Sequence, residues 1–215
     1  MQSKLFFIII FIAFPAHAHT FTGMIGFYDG LSHPVLGMDH FLAMVSVGIV
    51  SAQIGGRAIW RVPAMFVTFM IIGGALGIGA EFEKGFGDQA IYTNQTSTLN
   101  YFADYVYIII ELGIFLSVIL LGAAIAIEKK LPISITMIFV SFFGLCHGAA
   151  HGLEMPWAAN PVLFALGFVA GTTTLHLFGV GIGSFATKTA ISSFLLRCIG
   201  VGCLVYGFYL LISLA

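Results

Sequence analysis

Residues 104–127, DYVYIIIELGIFLSVILLGAAIAI, decide the fold of this chain. After Asp104 the stretch is a continuous apolar run that holds one carboxylate, Glu111. At 1.5 Å per residue, a helix of this length reaches about 36 Å, which exceeds the ~30 Å hydrocarbon core of a bilayer. Membrane barrels need alternating apolar and polar residues, whereas a continuous run predicts a membrane-crossing helix.

The composition extends this prediction to the whole chain. Of the 215 residues, 60% are hydrophobic and 8% are charged, and the mean hydropathy is +1.06. A water-soluble domain of this length would expose large apolar surfaces. Further apolar segments of spanning length lie at about 33–54, 62–80, 133–152, 161–184 and 197–215. We therefore predict an all-α, polytopic membrane helix bundle with six transmembrane helices.

Cysteines and charges point to no other class of partner. Cys146, Cys198 and Cys203 all lie inside apolar runs, so we predict small buried apolar side chains rather than a disulfide framework. The formal net charge is −1, and the few charges are sorted by position, which disfavours a nucleic-acid partner. The lipid bilayer is the expected environment.

The amino terminus has the pattern of a secretory signal. Lys4 is followed by an apolar stretch of about ten residues, and Ala16-His17-Ala18 forms a small-x-small cleavage box. A run this short does not span the hydrocarbon core, which disfavours an additional membrane helix as the alternative. We predict a signal peptide at 1–18, cleaved after Ala18, and one six-helix transmembrane domain at 19–215.

Charge sorting predicts the orientation in the membrane. A cleaved signal places the mature start outside, so the first, third and fifth loops should face the cytoplasm. These loops contain the basic residues Arg57, Arg61, Lys129, Lys130 and Lys188. Lys84 lies in the polar outer loop at about 81–103, among acidic residues. The positive-inside rule thus predicts a multi-pass inner-membrane protein whose mature ends are both periplasmic.

The motif HPVLGMDH at 33–40 places ionisable groups at the start of the first span. In a continuous helix, His33 and His40 would lie on nearly the same face, with Asp39 to one side. Ionisable side chains inside a membrane are costly, so each must be paired, hydrated or bound to an ion. The motif therefore indicates a functional site.

The motif HGAAHGLE at 147–154 is the second such cluster. His147, His151 and Glu154 stand at i, i+4 and i+7, which places them on one stripe of a helix. Two imidazoles one turn apart are a common metal-binding arrangement. In a soluble helix such a pair would more often be solvated, but inside an apolar span it favours a metal site.

Depth along the helices predicts two layers of ligands. Asp39 and His40 should lie about ten ångströms below the outer surface, where Glu111 and His147 reach a similar level from two other helices. We predict these four as the main metal site, with Glu111 either a ligand or an acceptor that orients an imidazole.

The remaining candidates lie above and below that layer. His33, His151 and Glu154 are expected at the outer mouth, where they would capture a hydrated cation. His176 should lie about twenty ångströms down the fifth span. It is either a second station toward the cytoplasm or a hydrogen-bond donor to a neighbouring helix.

Ligand type narrows the metal. Imidazole with carboxylate suits nickel, cobalt, zinc or copper(II), whereas copper(I) favours sulfur. Met38, Met44 and Met155 lie near the clusters, but methionines in a membrane core usually serve packing. The residues alone do not rank nickel against cobalt.

Across the whole predicted mature chain, these residues resemble the hydrogenase/urease accessory permease family, HupE/UreJ. The matching positions, in order, are His33-Pro34, Gly37, Asp39-His40, Ala43-Met44, Glu111, His147-Gly148, His151-Gly152, Glu154, Pro156, Leu175-His176 and Gly179. The resemblance implies a small secondary permease that imports nickel, or in some relatives cobalt, for hydrogenase or urease maturation.

The sequence leaves three functions open. We expect a transporter rather than an enzyme, with Ni²⁺ or Co²⁺ as its substrate and no prosthetic group. Because the sequence has no nucleotide-binding motif, we expect a secondary transporter rather than one driven by nucleotide hydrolysis. An intramembrane metal-dependent hydrolase or hydroxylase could use the same histidines and carboxylates to hold a catalytic ion. A third hypothesis makes His40 and His147 axial haem ligands in an electron carrier.

Overall fold

A computed structural model describes residues 26–90, 96–128, 131–155, 160–186 and 188–213, with side chains described outside 81–90 and 96–104. Within these ranges all of the regular secondary structure is α-helical. The helices are α1 (Phe27–Leu36), α2 (Met38–Ile54), α3 (Ala58–Ala90), α4 (Thr96–Ile127), α5 (Ile133–Leu153), α6 (Pro161–Ala186) and α7 (Ala190–Ser213). The predicted signal peptide lies outside the described residues.

Helices α3 to α7 are each long and apolar enough to cross a membrane. α1 and α2 meet the same test only as a pair, with an angle of 84° between them, so the chain has six crossings if this broken pair is one span. Large apolar side chains cover the outside of the bundle, for example Ile138 at 70% and Ile191 at 76% exposure. The predicted all-α membrane bundle is confirmed, because only lipid makes such a surface favourable.

The first predicted span is not the continuous helix that we expected. It breaks at Gly37, whose backbone is extended at φ −80° and ψ 112° and which ends α1 and precedes α2. Pro34 lies inside α1, where it has no amide hydrogen to donate to the preceding turn. His33 and His40 therefore lie on two different helices rather than on one helical face.

Two other boundaries differ from the sequence prediction. α7 begins at Ala190 instead of 197, because the Thr189 hydroxyl accepts a hydrogen bond from the Ser192 amide (3.1 Å) and caps the helix. Arg197 lies well inside α7, where its side chain pairs with Glu128 at 2.6 Å. α3 and α4 also extend into the segment 81–103, which the sequence predicts as a polar outer loop.

Glycines allow the closest helix contacts. On α5, Gly148 packs so tightly against α3 that an added Cβ would overlap the Met70 carbonyl. On α6, Gly167 faces the main chain of α1 and Gly179 faces that of α2, so α6 packs along both halves of the broken span. Small residues at such positions are typical of membrane helix packing.

We use the term basic end for the end of the bundle where α3 and α7 begin, which carries Arg57, Arg61, Lys188 and Arg197. The Gln53 amide donates to the Ile125 carbonyl here, at 3.5 Å. The charge pattern predicts that this end faces the cytoplasm.

The three cysteines are free, as expected, but they are not all buried. Cys146 and Cys203 lie inside the bundle, whereas Cys198 is exposed on the outside of α7. The prediction of a buried Cys198 was wrong because an apolar run does not reveal which side of a membrane helix faces lipid.

Candidate metal centre

Four histidine rings form a continuous series inside the bundle, which we call the histidine column: His33, His151, His40 and His147. The ring centroids of His33 and His151 are 4.5 Å apart, those of His151 and His40 are 4.3 Å apart, and those of His40 and His147 are 5.0 Å apart. The rings come from α1, α5, α2 and α5 in that order. The two sequence motifs, separated by more than a hundred residues, therefore build one site.

The bend at Gly37 positions His40 within this column. Asp39 Oδ1 accepts a hydrogen bond from the His40 amide at 2.9 Å and lies 2.7 Å from His40 Nδ1. A Cβ on Gly37 would stand 3.2 Å from that same carboxylate oxygen and 3.3 Å from Nδ1, so glycine leaves room for the pair. With Nδ1 engaged by the carboxylate, Nε2 is the His40 nitrogen that remains available to a ligand.

His147 is oriented in the same way by the backbone. Its Nδ1 lies 2.9 Å from the Phe143 carbonyl oxygen, one turn earlier on α5, and this oxygen accepts the ring N–H. The neutral tautomer then carries its lone pair on Nε2. Histidine ligands of metals usually donate their other ring nitrogen to a carboxylate or a carbonyl, and His40 and His147 supply one case of each.

His151 lies between His33 and His40, and Phe168 of α6 packs against its ring at a centroid distance of 4.2 Å. A cavity of about 150 Å³ opens beside it between α3, α5 and α6, with an almost entirely apolar lining. Apart from His151, the residues that line the cavity contribute no imidazole or carboxylate.

Within the described residues, one group of three side chains has metal-binding spacing: His33, His151 and Glu154. Each offers one ligand atom, and these atoms all lie within 4.8 Å of one another. The His33 Nε2 to Glu154 Oε2 distance is 4.0 Å. At metal–ligand bonds of about 2.1 Å, tetrahedral ligands stand roughly 3.4 Å apart. To bind one ion directly, the three side chains would have to move about 1 Å closer to one another. At their present spacing they could bind the ion through water.

Glu111 occupies a different position from the other predicted ligands. It is half-buried on α4, one turn along the helix from Tyr107. Asp39, His40 and Glu154 are close enough to interact with it electrostatically. Of the four residues predicted as the main layer, the structure brings His40 into contact with Asp39 and His147, and sets Glu111 beside them.

His176 lies outside the column. Its ring centroid is 5.1 Å from that of Phe66 on α3, and Phe66 is in turn 5.4 Å from His147. One turn before His176 on α6, the Thr172 hydroxyl donates a hydrogen bond to Met70 Sδ, with 3.6 Å between the two atoms. Phe66 thus contacts both His147 of the histidine column and the predicted second station.

Sequence analysis missed Phe66 and Phe168. Phe168 could have been found, because Phe164, Phe168, Thr172 and His176 recur every four residues and lie on one stripe of α6. Nothing in the sequence near Phe66 distinguishes it from other apolar residues of α3.

The donor atoms fit a divalent first-row transition metal. Among the residues that the structure describes, Nε2 of His40 and His147 and both ring nitrogens of His151 and His176 are buried without a hydrogen-bond partner. Leaving a buried polar atom unsatisfied costs about 1–3 kcal/mol, so such a concentration needs a functional reason. Imidazole nitrogens with nearby carboxylates suit nickel, cobalt, zinc or copper(II).

Comparisons with known proteins agree with the motifs. The chain is 37% identical over 169 residues to "Protein HupE" of Rhizobium leguminosarum bv. viciae, which covers 79% of this chain and 76% of that protein. No solved structure gives a significant match. The family model described as "HupE / UreJ protein" matches residues 7–83 and 93–210. With both motifs and nearly the whole chain included in that match, this membrane protein belongs to the HupE/UreJ family.

Proposed function

We propose that this protein is a secondary permease that carries Ni²⁺ or Co²⁺ across the inner membrane into the cytoplasm. The observation that carries the proposal is the histidine column, with open Nε2 atoms on His40 and His147 in the interior of a membrane bundle. Buried imidazoles at successive distances of 4.3–5.0 Å provide a series of ligands rather than one closed cage. Membership in the HupE/UreJ family supports a link to hydrogenase or urease maturation.

The order of the residues suggests a route. Glu154, His33 and His151 capture the hydrated cation at the end opposite the basic end. Nε2 of His40 and Nε2 of His147 then replace these ligands one at a time. His176 receives the ion last and releases it toward the basic end. Each transfer exchanges nitrogen or oxygen ligands, so the ion never crosses the apolar interior without coordination.

The membrane potential supplies enough driving force. Each elementary charge that moves through 100 mV gains about 2.3 kcal/mol, so a divalent cation drawn to a negative interior gains about 4.6 kcal/mol. That favours inward accumulation by more than a thousandfold. No hydrolysis of nucleotide is required.

Uptake into proteoliposomes tests the proposal. Purified protein is reconstituted into lipid vesicles, and an interior-negative membrane potential is imposed. Uptake of nickel, cobalt, zinc and copper is then measured side by side. We expect uptake of nickel or cobalt that His40→Ala and His147→Ala abolish, although both variants remain in the membrane. Normal uptake by both variants would place the path elsewhere.

An intramembrane metal-dependent hydrolase is the second candidate, because His33, His151 and Glu154 form a three-ligand set that could leave a position open for water. Turnover of a lipid or amide without ion flux would favour it. A haem between His40 and His147 is disfavoured, since the 5.0 Å between their centroids leaves too little room for a porphyrin plane.

A further inference from the structure

We infer that the Phe66 side chain closes the metal path between His147 and His176, and that an ion passes only when this ring moves aside. The inference rests on the proposed transport function. Phe66 is 0% exposed, and its ring centroid lies 5.4 Å from His147 and 5.1 Å from His176. Among the described residues, Phe66 is therefore the one whose ring contacts both the histidine column and His176, the predicted inner station.

The chemistry of the series changes at this ring. From His33 to His147 each successive side chain offers a nitrogen lone pair, so an ion can exchange one ligand for the next. A phenyl ring offers none, and a cation–π contact of about 0.5–2 kcal/mol cannot replace coordination of a divalent ion. An apolar constriction also interrupts continuous water, which is how hydrophobic gates hold back ions and protons.

Packing restricts the way in which this closure can open. The main chain of α3 at Phe66 lies against α5 so closely that a Cβ on Gly144 would overlap the Phe66 carbonyl. One turn further along α3, Met70 packs on Thr172 of α6. Helix α3 is thus held against both α5 and α6. Rotation of the Phe66 side chain therefore requires less rearrangement than displacement of the whole helix.

The competing explanation is that Phe66 only fills the core. Phe143 provides a matched control, because it is also a phenylalanine at 2% exposure, on the helix that packs against α3. Its ring partners are Phe139 and Phe142 rather than histidines. Its hydrogen bond to His147 uses the backbone carbonyl, which replacement by Ala or Leu retains.

Proton leak in metal-free proteoliposomes tests the closure directly. Vesicles that contain a pH-sensitive dye receive a potassium diffusion potential, and leak is compared for wild type, Phe66→Ala and Phe143→Ala. We expect Phe66→Ala to leak about tenfold faster than wild type, while Phe143→Ala does not. Calorimetry with nickel should show binding within about threefold of wild type for Phe66→Ala, because the histidine column remains intact. If Phe66→Ala fails to fold, Phe66→Leu against Phe143→Leu gives the same comparison with a smaller expected difference.

The two hypotheses fail in distinguishable ways. If wild-type vesicles take up metal but the Phe66 variants leak no faster than wild type, the closure is wrong and the transport function stands. Equal leak from the Phe66 and Phe143 variants would also overturn the closure, since loss of core packing would explain both. If wild-type vesicles take up no metal, the transport function itself is wrong.

Discussion

Asp39 Oδ1 lies 2.7 Å from His40 Nδ1, at the second residue of α2, just after the break at Gly37. The carboxylate touches the imidazole that we expect to bind metal, yet it engages Nδ1 and leaves Nε2 without a hydrogen-bond partner. Asp39 is therefore well placed to orient the His40 ring, whereas the sequence alone suggested a direct ligand. Direct ligation by Asp39 stays a prediction.

Asp39→Asn separates orientation from direct ligation. An amide can keep the contact with His40 but loses the negative charge that increases the basicity of the imidazole. We expect nickel affinity to fall about 10–100-fold, the usual effect of removing such a partner, without complete loss. Titration calorimetry measures it, with Glu128→Gln at the basic end as a charge-matched control. Complete loss of binding would instead make Asp39 a ligand.

His147→Ala and His176→Ala should differ in binding. His147 belongs to the histidine column, whereas His176 lies beyond Phe66. We expect His147→Ala to lose both binding and uptake, and His176→Ala to retain binding within about tenfold, or 1.4 kcal/mol, while losing most uptake. Calorimetry in detergent and uptake in liposomes measure the two quantities. Equal loss of binding would assign His176 to the primary site.

Gly148→Ala should destabilise the contact between α3 and α5. The added Cβ would overlap the Met70 carbonyl, which belongs to the main chain and cannot rotate away. Overpacking of this kind costs about 1–3 kcal/mol. Thermal unfolding in detergent measures the loss, and Gly181→Ala is the control because no heavy atom lies within 4 Å of its added Cβ. Equal unfolding temperatures for the two variants would contradict this packing.

Glu128 predicts a pH dependence at the basic end. Hydrogen bonds from Ser193 and Arg197 lower the pKa of Glu128, which lies just beyond the α4 span. Because the folded pKa is below the unfolded value, the contribution to stability is present at neutral pH and is lost as the pH falls through the folded pKa. Wild type should therefore melt slightly above Glu128→Gln at pH 7, and the difference should vanish in acid. A constant difference across the pH range would show that the charge is irrelevant.

Cysteine labelling tests the orientation. In a background with Cys146, Cys198 and Cys203 replaced by Ser, we expect an impermeant maleimide to label Lys84→Cys in spheroplasts, which expose the periplasmic face. Lys188→Cys should react only after lysis, because the positive-inside rule assigns it to the cytoplasm. The reverse pattern would invert the transport route.

The sequence predicts where the membrane spans lie better than it predicts how they pack against one another. Hydropathy sums over some twenty residues, so six segments stand out whatever their neighbours, and the i, i+4 spacing correctly placed His147 and His151 on one stripe. The break at Gly37 depends on a local backbone conformation that averaging hides. Depth along the helices predicts that His33 and Glu154 lie at the same end of the bundle, but the 4.0 Å between them depends on how the helices pack, which no local pattern encodes.

The same limit explains why Phe66 went unnoticed. The role that we propose for Phe66 depends on the histidines that α5 and α6 bring against its ring, whereas its own neighbours in sequence, Met65 and Val67, are equally apolar. Lipid-facing and buried apolar positions also look alike along a membrane helix, as Cys198 illustrates.

The 84° break between α1 and α2 also has an electrical consequence. It divides one macrodipole into two, so that the partially negative carboxyl end of α1 and the partially positive amino end of α2 meet at Gly37. Each terminus is equivalent to roughly half an elementary charge. Asp39 lies in the first turn of α2 and offsets the positive terminus, while the α1 carbonyl terminus has no basic residue next to it other than His33. A cation at His33 is therefore favoured by the carbonyl end of α1 itself, and the Asp39 carboxylate keeps the amino end of α2 from opposing a cation at His40.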